Sequence, residues 1–276
     1  MGTVLRWCRI GVLGALMLVS ACSSTTFVYN RLDFLLPWYL SDYVELTQSE
    51  KTYFNELLAP FLAWHRSQEL PRYVKLLQDI EDELDRPLTP AAVAAVLAEF
   101  ESAWVRVEGE GLDVLLDLGT RLTEDQITYF IDKLWERQHE DEEKYLKRSD
   151  EEFYQDNYDN LRDSAQNYLG RLSDPQRKLL RDSSRQLLRS DHAWLQERAE
   201  WFTKLAVLLQ RQPGWQQRVR EAVVARREDL LPEYRRIYEH NMGVIDDLIA
   251  QLLNGRSERQ DQHLRNKLSK LRADLK

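Results

Sequence analysis

The feature that most constrains this chain is a helix-start sequence that occurs three times, in segments 46–50, 122–126 and 172–176. Each segment has a leucine, then a threonine or serine, and a glutamate or glutamine three residues after that hydroxyl side chain. This spacing forms the capping box, in which both side chains satisfy backbone N–H groups at the start of a helix. Thr89 followed by Pro90 marks a fourth start. A chain that repeats this signal is expected to be built from helices.

Apolar residues after these starts follow the helical period. Two such stripes are Phe54, Leu57, Leu58, Phe61 and Leu62, and Val93, Val96, Leu97, Phe100 and Trp104. Apolar side chains three and four residues apart form one face of a helix, so both stripes are predicted to lie in the core. Glycine and proline are scarce, at 10 and 8 residues of 276, and no strand-period segment of any length occurs. The predicted fold is all-α, an elongated bundle of long antiparallel helices.

Two very long helices are predicted in the second half of the chain. The first runs from Glu124 to Gly170, because helical spacing resumes after a charged stretch and Gly170 is a natural end. The second runs from Asp174 to Arg211. The remaining helices are predicted in the ranges 215–230, 232–253 and 257–276. The last of these is basic, and it is expected to be a frayed tail or to touch anionic lipid.

The N-terminus has the pattern of an export signal. Two arginines precede an apolar run over residues 10–21, which is shorter than the roughly 20 residues needed to span a bilayer. The run ends in Leu-Val-Ser-Ala-Cys at positions 18–22, which resembles the lipobox of bacterial lipoproteins. The sequence therefore predicts a cleaved signal peptide at 1–21, a lipidated tether at 22–30 and a single helical domain at 31–276.

The lipobox resemblance implies a lipid anchor on Cys22. In such lipoproteins the cysteine sulfur accepts diacylglycerol, and further acylation makes the anchoring effectively permanent. Ser23 and Ser24 follow the cysteine, where an aspartate would favour the inner membrane. The expected location is the outer membrane, with the body facing the periplasm. Cys8 lies in the removed segment, so no thiol chemistry remains in the mature chain.

No residue pattern predicts catalysis, a cofactor or a metal. The five histidines lack the paired spacing of helical zinc sites, and Glu136 before His139 is only half of a di-iron motif. Residues 136–159 hold ten carboxylates against four lysines or arginines, which is typical of a solvated helix face. A formal net charge of −8 argues against a general nucleic-acid binder. The protein is expected not to be an enzyme.

The richest aromatic stretch follows the tether. Its aromatic residues are Phe27, Tyr29, Phe34, Trp38, Tyr39 and Tyr43. They are interpreted either as part of a core helix or as a belt at the lipid headgroups, and both roles are compatible. Trp38 and Tyr39 are therefore candidate interaction residues.

A second candidate interaction site is the segment that contains Trp64, His65 and Arg66. Neighbouring helix positions are about 100° apart, so these three side chains cannot all face the core. Glu69 is within reach of His65 or Arg66 for a charged pair, and Tyr73 lies one turn further on. The sequence leaves open whether this segment is structural or docks onto an envelope protein.

The same residues carry a family resemblance. Tyr29-Asn30, Trp38-Tyr39, Trp64-His65-Arg66, Glu69-Leu70-Pro71 and Tyr73 resemble a family of proteobacterial lipoproteins of unknown function. The resemblance covers essentially the whole mature chain. It implies an all-helical periplasmic protein anchored in the outer membrane, and it supplies no activity.

Two hypotheses for function follow. The first is a non-enzymatic helical adaptor of the envelope that docks through Trp64, His65, Arg66 and the aromatic N-terminal segment. The second is an ATP-independent holdase chaperone, because Leu-Thr-x-x-Gln at 122–126 resembles a signature of the Spy and CpxP periplasmic chaperones.

Overall fold

The computed structural model describes residues 31–276, and the regular elements in this range are all helices. The predicted signal peptide, the tether and Cys22 lie outside the described residues. The helices are α1 (Leu32–Leu40), α2 (Gln48–Trp64), α3 (Leu70–Glu83), α4 (Pro90–Gly119), α5 (Glu124–Leu146), α6 (Asp150–Leu169), α7 (Asp174–Ser184), α8 (Asp191–Leu208), α9 (Trp215–Ala225), α10 (Pro232–Asn254) and α11 (Glu258–Asp274). The prediction of an all-α, multi-helix bundle is confirmed.

The predicted helix starts form the hydrogen bonds that the sequence indicates. Thr47, Thr123 and Ser173 each cap a helix, and the glutamate or glutamine three residues later completes the capping box. The Thr89 hydroxyl accepts a hydrogen bond from the Ala92 N–H at 3.1 Å, and Pro90 begins α4. Ser257 forms a further box at the start of α11. These starts were predictable because each depends on four consecutive residues.

The two very long helices were wrong predictions, because each is divided in two. The segment predicted as Glu124 to Gly170 breaks between α5 and α6, and Ser149 caps α6 with a capping box of its own. The segment predicted as Asp174 to Arg211 breaks between α7 and α8. In both cases the apolar spacing on either side of the break is helical, so the period alone does not reveal it.

Both breaks meet at one buried aspartate, and we call this arrangement the Asp191 junction. Arg148 donates to both carboxylate oxygens of Asp191, at 2.9 and 2.6 Å, and Arg189 donates to Asp191 at 3.0 Å. Arg189 also donates to the carbonyl oxygens of Tyr145 and Arg148, at 3.1 and 2.6 Å. Carbonyl groups at the end of α5 are therefore satisfied by a residue from the second break, which joins the two interruptions.

The largest hydrophobic cluster, which we call the leucine core, joins α3, α6, α7, α10 and α11. Its buried members are Leu77, Leu84, Leu88, Phe153, Tyr158, Leu169, Leu172, Leu180, Leu187, Ile245, Leu248, Leu252, Leu264, Leu268 and Leu271. The expectation of a frayed basic tail is wrong, since three leucines of α11 belong to this core. Its cations pair with a neighbouring helix as well: Arg272 lies 3.0 Å from the Glu81 carboxylate of α3.

A smaller cluster joins α1, α2 and the end of α4. Val44, Leu46, Phe54, Leu58 and Leu118 are its buried members. The α2 stripe therefore lies inward as predicted. The α4 stripe does so only in part, because Trp104 is 44% exposed. At that level of α4 the buried position is Ala103, so the inward face has turned by one residue.

Candidate functional site

The candidate segment at Trp64 contains a widened helical turn. Residues His65–Glu69 form a π-helical turn between α2 and α3, and the Leu70 N–H donates to the His65 carbonyl oxygen. This bond spans five residues, one more than in an α-helix. It lies directly before Pro71, whose nitrogen carries no hydrogen and contributes nothing to the helical ladder. Turns of this kind occur frequently at functional sites.

Glu69 is the most buried residue of this turn and is fully partnered. Its side chain is 0% exposed. Arg106 from α4 donates to both carboxylate oxygens at 2.9 Å, and Arg72 donates to one of them at 2.8 Å. Burial acts to raise the pKa of Glu69, but the hydrogen bonds and charges of Arg106 and Arg72 outweigh it and hold the pKa below its usual value. Glu69 is therefore ionised at neutral pH and fastens the turn to α4.

His65 lies in an aromatic environment. Its ring contacts those of Phe61, Trp64 and Tyr73, with centroid distances between 5.6 and 6.4 Å, and its Nε2 lies 3.5 Å from the Tyr73 hydroxyl oxygen. Burial lowers the pKa of His65 more than the Glu69 charge raises it. The imidazole is therefore neutral at pH 7, and it packs as an aromatic group against these three rings.

Trp64, His65 and Arg66 differ in how far they are exposed to solvent. Trp64 and His65 are half-buried, whereas Arg66 is exposed together with Ser67 and Gln68. Glu69 was expected within reach of His65 or Arg66, and the guanidinium groups that bind its carboxylate come instead from Arg72 and Arg106. The structure therefore assigns Glu69 to the interior and leaves Arg66 on the surface.

Sequence reasoning missed Arg106, which contributes the firmest contact in this region. It lies 37 residues from Glu69. The predicted stripe placed Trp104 inward, and only the structure shows that Ala103 is buried instead, which brings Arg106, three residues later, to the inward side of α4. An arginine on such a face indicates a buried acid from another helix.

The other candidate residues, Trp38 and Tyr39, lie on α1. Trp38 is 48% exposed, while Tyr39 is half-buried and its hydroxyl lies 3.3 Å from that of Tyr43. Burial and this hydrogen bond raise the pKa of Tyr39 well above its usual value, so it stays protonated. The α1 helix packs on the same hydrophobic cluster as Phe61, which contacts Trp64 at 5.9 Å between ring centroids. The two candidate regions are thus neighbours through Phe61.

The Leu-Thr-x-x-Gln sequence has a structural role at the start of α5. Gln126 completes the capping box and also donates to the Glu45 carbonyl oxygen at 2.7 Å and to the Glu50 carboxylate at 2.9 Å. These contacts tie the start of α5 to the start of α2. These structural contacts explain why Leu-Thr-x-x-Gln occurs here, and none of them involves a client-binding surface.

Residues 31–276 contain no group of three or more histidine, cysteine, aspartate or glutamate side chains placed to hold a metal ion. His139 is exposed, and its Nδ1 donates to the Trp135 carbonyl oxygen at 2.7 Å. Within the same range, no helix combines the length and apolar character needed to cross a membrane.

A family model described as a family of unknown function, DUF6279, matches residues 42–236. The chain belongs to this family. The DUF6279 match includes the π turn, Arg106 and the Asp191 junction, and it ends within α10. The predicted membership in a helical family of unknown function is therefore confirmed. Comparisons with curated proteins and with solved structures gave no match.

Proposed function

We propose that this DUF6279 protein is a lipoprotein anchored in the outer membrane through Cys22, and that its helical body is a non-enzymatic adaptor in the periplasm. The lipobox at 18–22 supports the anchor, because small residues before a cysteine suit the lipoprotein signal peptidase. Ser23 and Ser24 support retention in the outer membrane. The body is attached to the membrane by acyl chains and does not cross it.

The position of α1 supports a membrane-facing role for its aromatic residues. Leu32, the first residue of α1, is the tenth residue after Cys22, so the chain between them keeps the start of α1 within about 36 Å of the anchor. Phe34 and Trp38 are one helical turn apart and are 64% and 48% exposed. Aromatic side chains are favourable at the depth of lipid headgroups. We expect this face of α1 to rest on the membrane surface.

The docking surface in this proposal is the outer side of the π turn. Arg66, Ser67 and Gln68 are consecutive and exposed, and the next residue, Glu69, is locked to α4 by Arg106. This juxtaposition is the observation that carries the proposal. A surface segment held by the ion pairs of a buried carboxylate is preorganised, so a partner loses little entropy by binding it.

The anchor is tested by Cys22→Ser. The variant is expected to leave the membrane fraction after detergent-free lysis and to take up no radiolabelled palmitate. Ser23→Ala is the matched control and should remain lipidated and membrane-bound. Unchanged fractionation of Cys22→Ser would refute the lipid anchor.

Docking is tested by photocrosslinking in cells. A photoreactive amino acid at positions 66, 67 and 68 is expected to capture an envelope protein, whereas at the buried positions 69 and 70 it should not. Arg66→Ala should remain folded and abundant yet reduce capture from position 68. Lys75→Ala, an exposed change on α3, should not reduce it. Absence of any captured envelope protein from positions 66 to 68 would refute docking at this surface.

The holdase alternative is tested by aggregation of a model client protein. The exposed large apolar side chains lie on α1, α4, α5, α8 and α9. An adaptor is expected to leave client aggregation unchanged at equimolar ratio. Suppression of aggregation, without a stoichiometric envelope partner, would favour the chaperone instead.

A further inference from the structure

The leucine core borders an unfilled space that is partly open to solvent. A cavity of about 210 Å³ lies between α3, α4, α6, α10 and α11. An engineered cavity of about 150 Å³ with a similar apolar lining stays dry and admits benzene. The present cavity is larger, so it has room for an apolar guest.

The lining selects for hydrocarbon. Of its 23 residues, all but Glu83, Ser164 and Tyr168 have purely apolar side chains. The Glu83 carboxylate accepts a hydrogen bond from Arg86 at 2.9 Å, and the Ser164 hydroxyl donates to the Asn160 carbonyl oxygen at 2.8 Å. Neither group therefore requires a hydrogen bond from a guest. A polar guest would lose its hydration without compensation.

The cavity is also long. The lining residues extend from position 92 to 100 on α4, from 161 to 169 on α6 and from 245 to 253 on α10. Each stretch covers about two helical turns, which is roughly 12 Å at 1.5 Å per residue. A space bordered over this length by several helices suits an extended chain better than a compact ring.

One edge of the cavity reaches the protein surface. Glu83 and Ser164 line the cavity and are both partly exposed. They lie on α3 and α6, and their polar groups border the cavity where it meets solvent. A chain that enters here would leave its polar end beside polar side chains and water.

We propose that this cavity binds a single hydrocarbon chain of the kind carried by fatty acids and membrane lipids, with the chain lying between α4, α6 and α10. The proposal rests on the cavity alone and does not depend on the anchor at Cys22 or on docking at the π turn. A chain that fills the space would replace the missing contacts of its lining and stabilise the fold.

The test uses the full chain in lipid nanodiscs and a photoreactive probe. In one arm the probe is palmitic acid with a diazirine in the middle of the chain. In the other arm the same acyl chain is part of phosphatidylethanolamine. After irradiation, mass spectrometry is expected to locate the label in peptides that contain residues 92–100, 161–169 or 245–253, and unlabelled palmitate should compete. Labelling in one arm or both identifies the source as a free acid, a phospholipid or either.

Variants at Ala165 connect the label with the cavity. Ala165→Phe places a large side chain in the space and is expected to abolish the competed label, and Ala165→Leu is a milder filling variant that should weaken it. Ala63→Phe, at an exposed position on α2, is the matched control and should keep the wild-type label. Circular dichroism establishes that each variant is folded. The proposal is overturned if neither probe gives competed label at the lining, or if a folded Ala165→Phe protein is labelled like the wild type.

Discussion

The leucine core and the Asp191 junction are both buried, yet they are held together by different kinds of interaction. Leu180 and Leu248 lie among hydrocarbon side chains, and the same core borders a partly open cavity of about 210 Å³. Asp191 is 2% exposed and accepts three hydrogen bonds from two arginines. Burial of apolar surface has no preferred direction and tolerates an unfilled space. A buried charge requires its partners in place, so the junction ties the break before α6 to the break before α8.

The largest expected effect is at the junction. Asp191→Ala should lower the free energy of unfolding by about 3–5 kcal/mol, because it leaves the largely buried charge of Arg148 without its main partner. The measurement is urea unfolding followed by circular dichroism. Asp182→Ala breaks an exposed pair with Lys178 and should change stability by about 0.5 kcal/mol or less. Equal effects of the two changes would contradict the role assigned to the junction.

A truncation in the leucine core should cost somewhat less. Leu248→Ala is expected to lower the free energy of unfolding by about 3 kcal/mol, because it removes buried hydrocarbon and enlarges the cavity. Leu115→Ala, at a site that is 49% exposed, should fall within about 0.5 kcal/mol of the wild type. If Leu248→Ala lowered the free energy of unfolding as little as Leu115→Ala, the core would have to relax around the deleted side chain.

Glu69 is a second buried carboxylate, and its contribution to stability is expected to depend on pH. Glu69→Gln should lower stability at pH 7 by about 2 kcal/mol, less than at Asp191, because Arg72 and Arg106 are partly exposed and remain solvated. The folded-state pKa of Glu69 is lowered, so its contribution is present above the unfolded-state pKa and is lost as pH falls through the folded-state pKa. The stability difference between the two proteins should therefore shrink on acidification below about pH 4.5.

Urea unfolding from pH 7 to pH 3 measures this difference. Glu110→Gln, an exposed change on α4, is the control and should show no such convergence with the wild type. A difference at position 69 that grows with acidity would contradict the ionised state assigned to the carboxylate.

The smallest expected effect is a gain. Ala165→Leu adds hydrocarbon to the cavity of the leucine core and should raise the free energy of unfolding by about 1 kcal/mol, as cavity-filling changes commonly do. The melting temperature by circular dichroism records it, and Ala63→Leu on the exposed side of α2 is the reference. A marked loss at position 165 would indicate that the space is narrower than the structure gives.

For the candidate site at the π turn, the sequence identified the residues but not the contacts that they make. Its residues on one stretch of chain, from Trp64 to Tyr73, were found because rare residue types lie close together in the sequence. Their roles could not be found in this way. Glu69 is bound by Arg106 from another helix, and the π turn changes which positions face inward. The spacing rules for an α-helix do not apply across a turn whose hydrogen bond spans five residues.

The sequence by itself determined the helical class and most helix starts, because a capping box and an apolar stripe each operate within a few residues of chain. The boundary at 185–190 needed the tertiary structure, whereas the boundary at 147–149 carries a local signal, since Ser149 and Glu152 form a capping box that no leucine precedes. Arg148 and Asp191 are 43 residues apart, and only the packing of α8 against α5 brings them together. The cavity likewise depends on residues between positions 77 and 268. The period of a sequence indicates which side chains face inward, but whether their volumes fill the space is decided by how the helices pack.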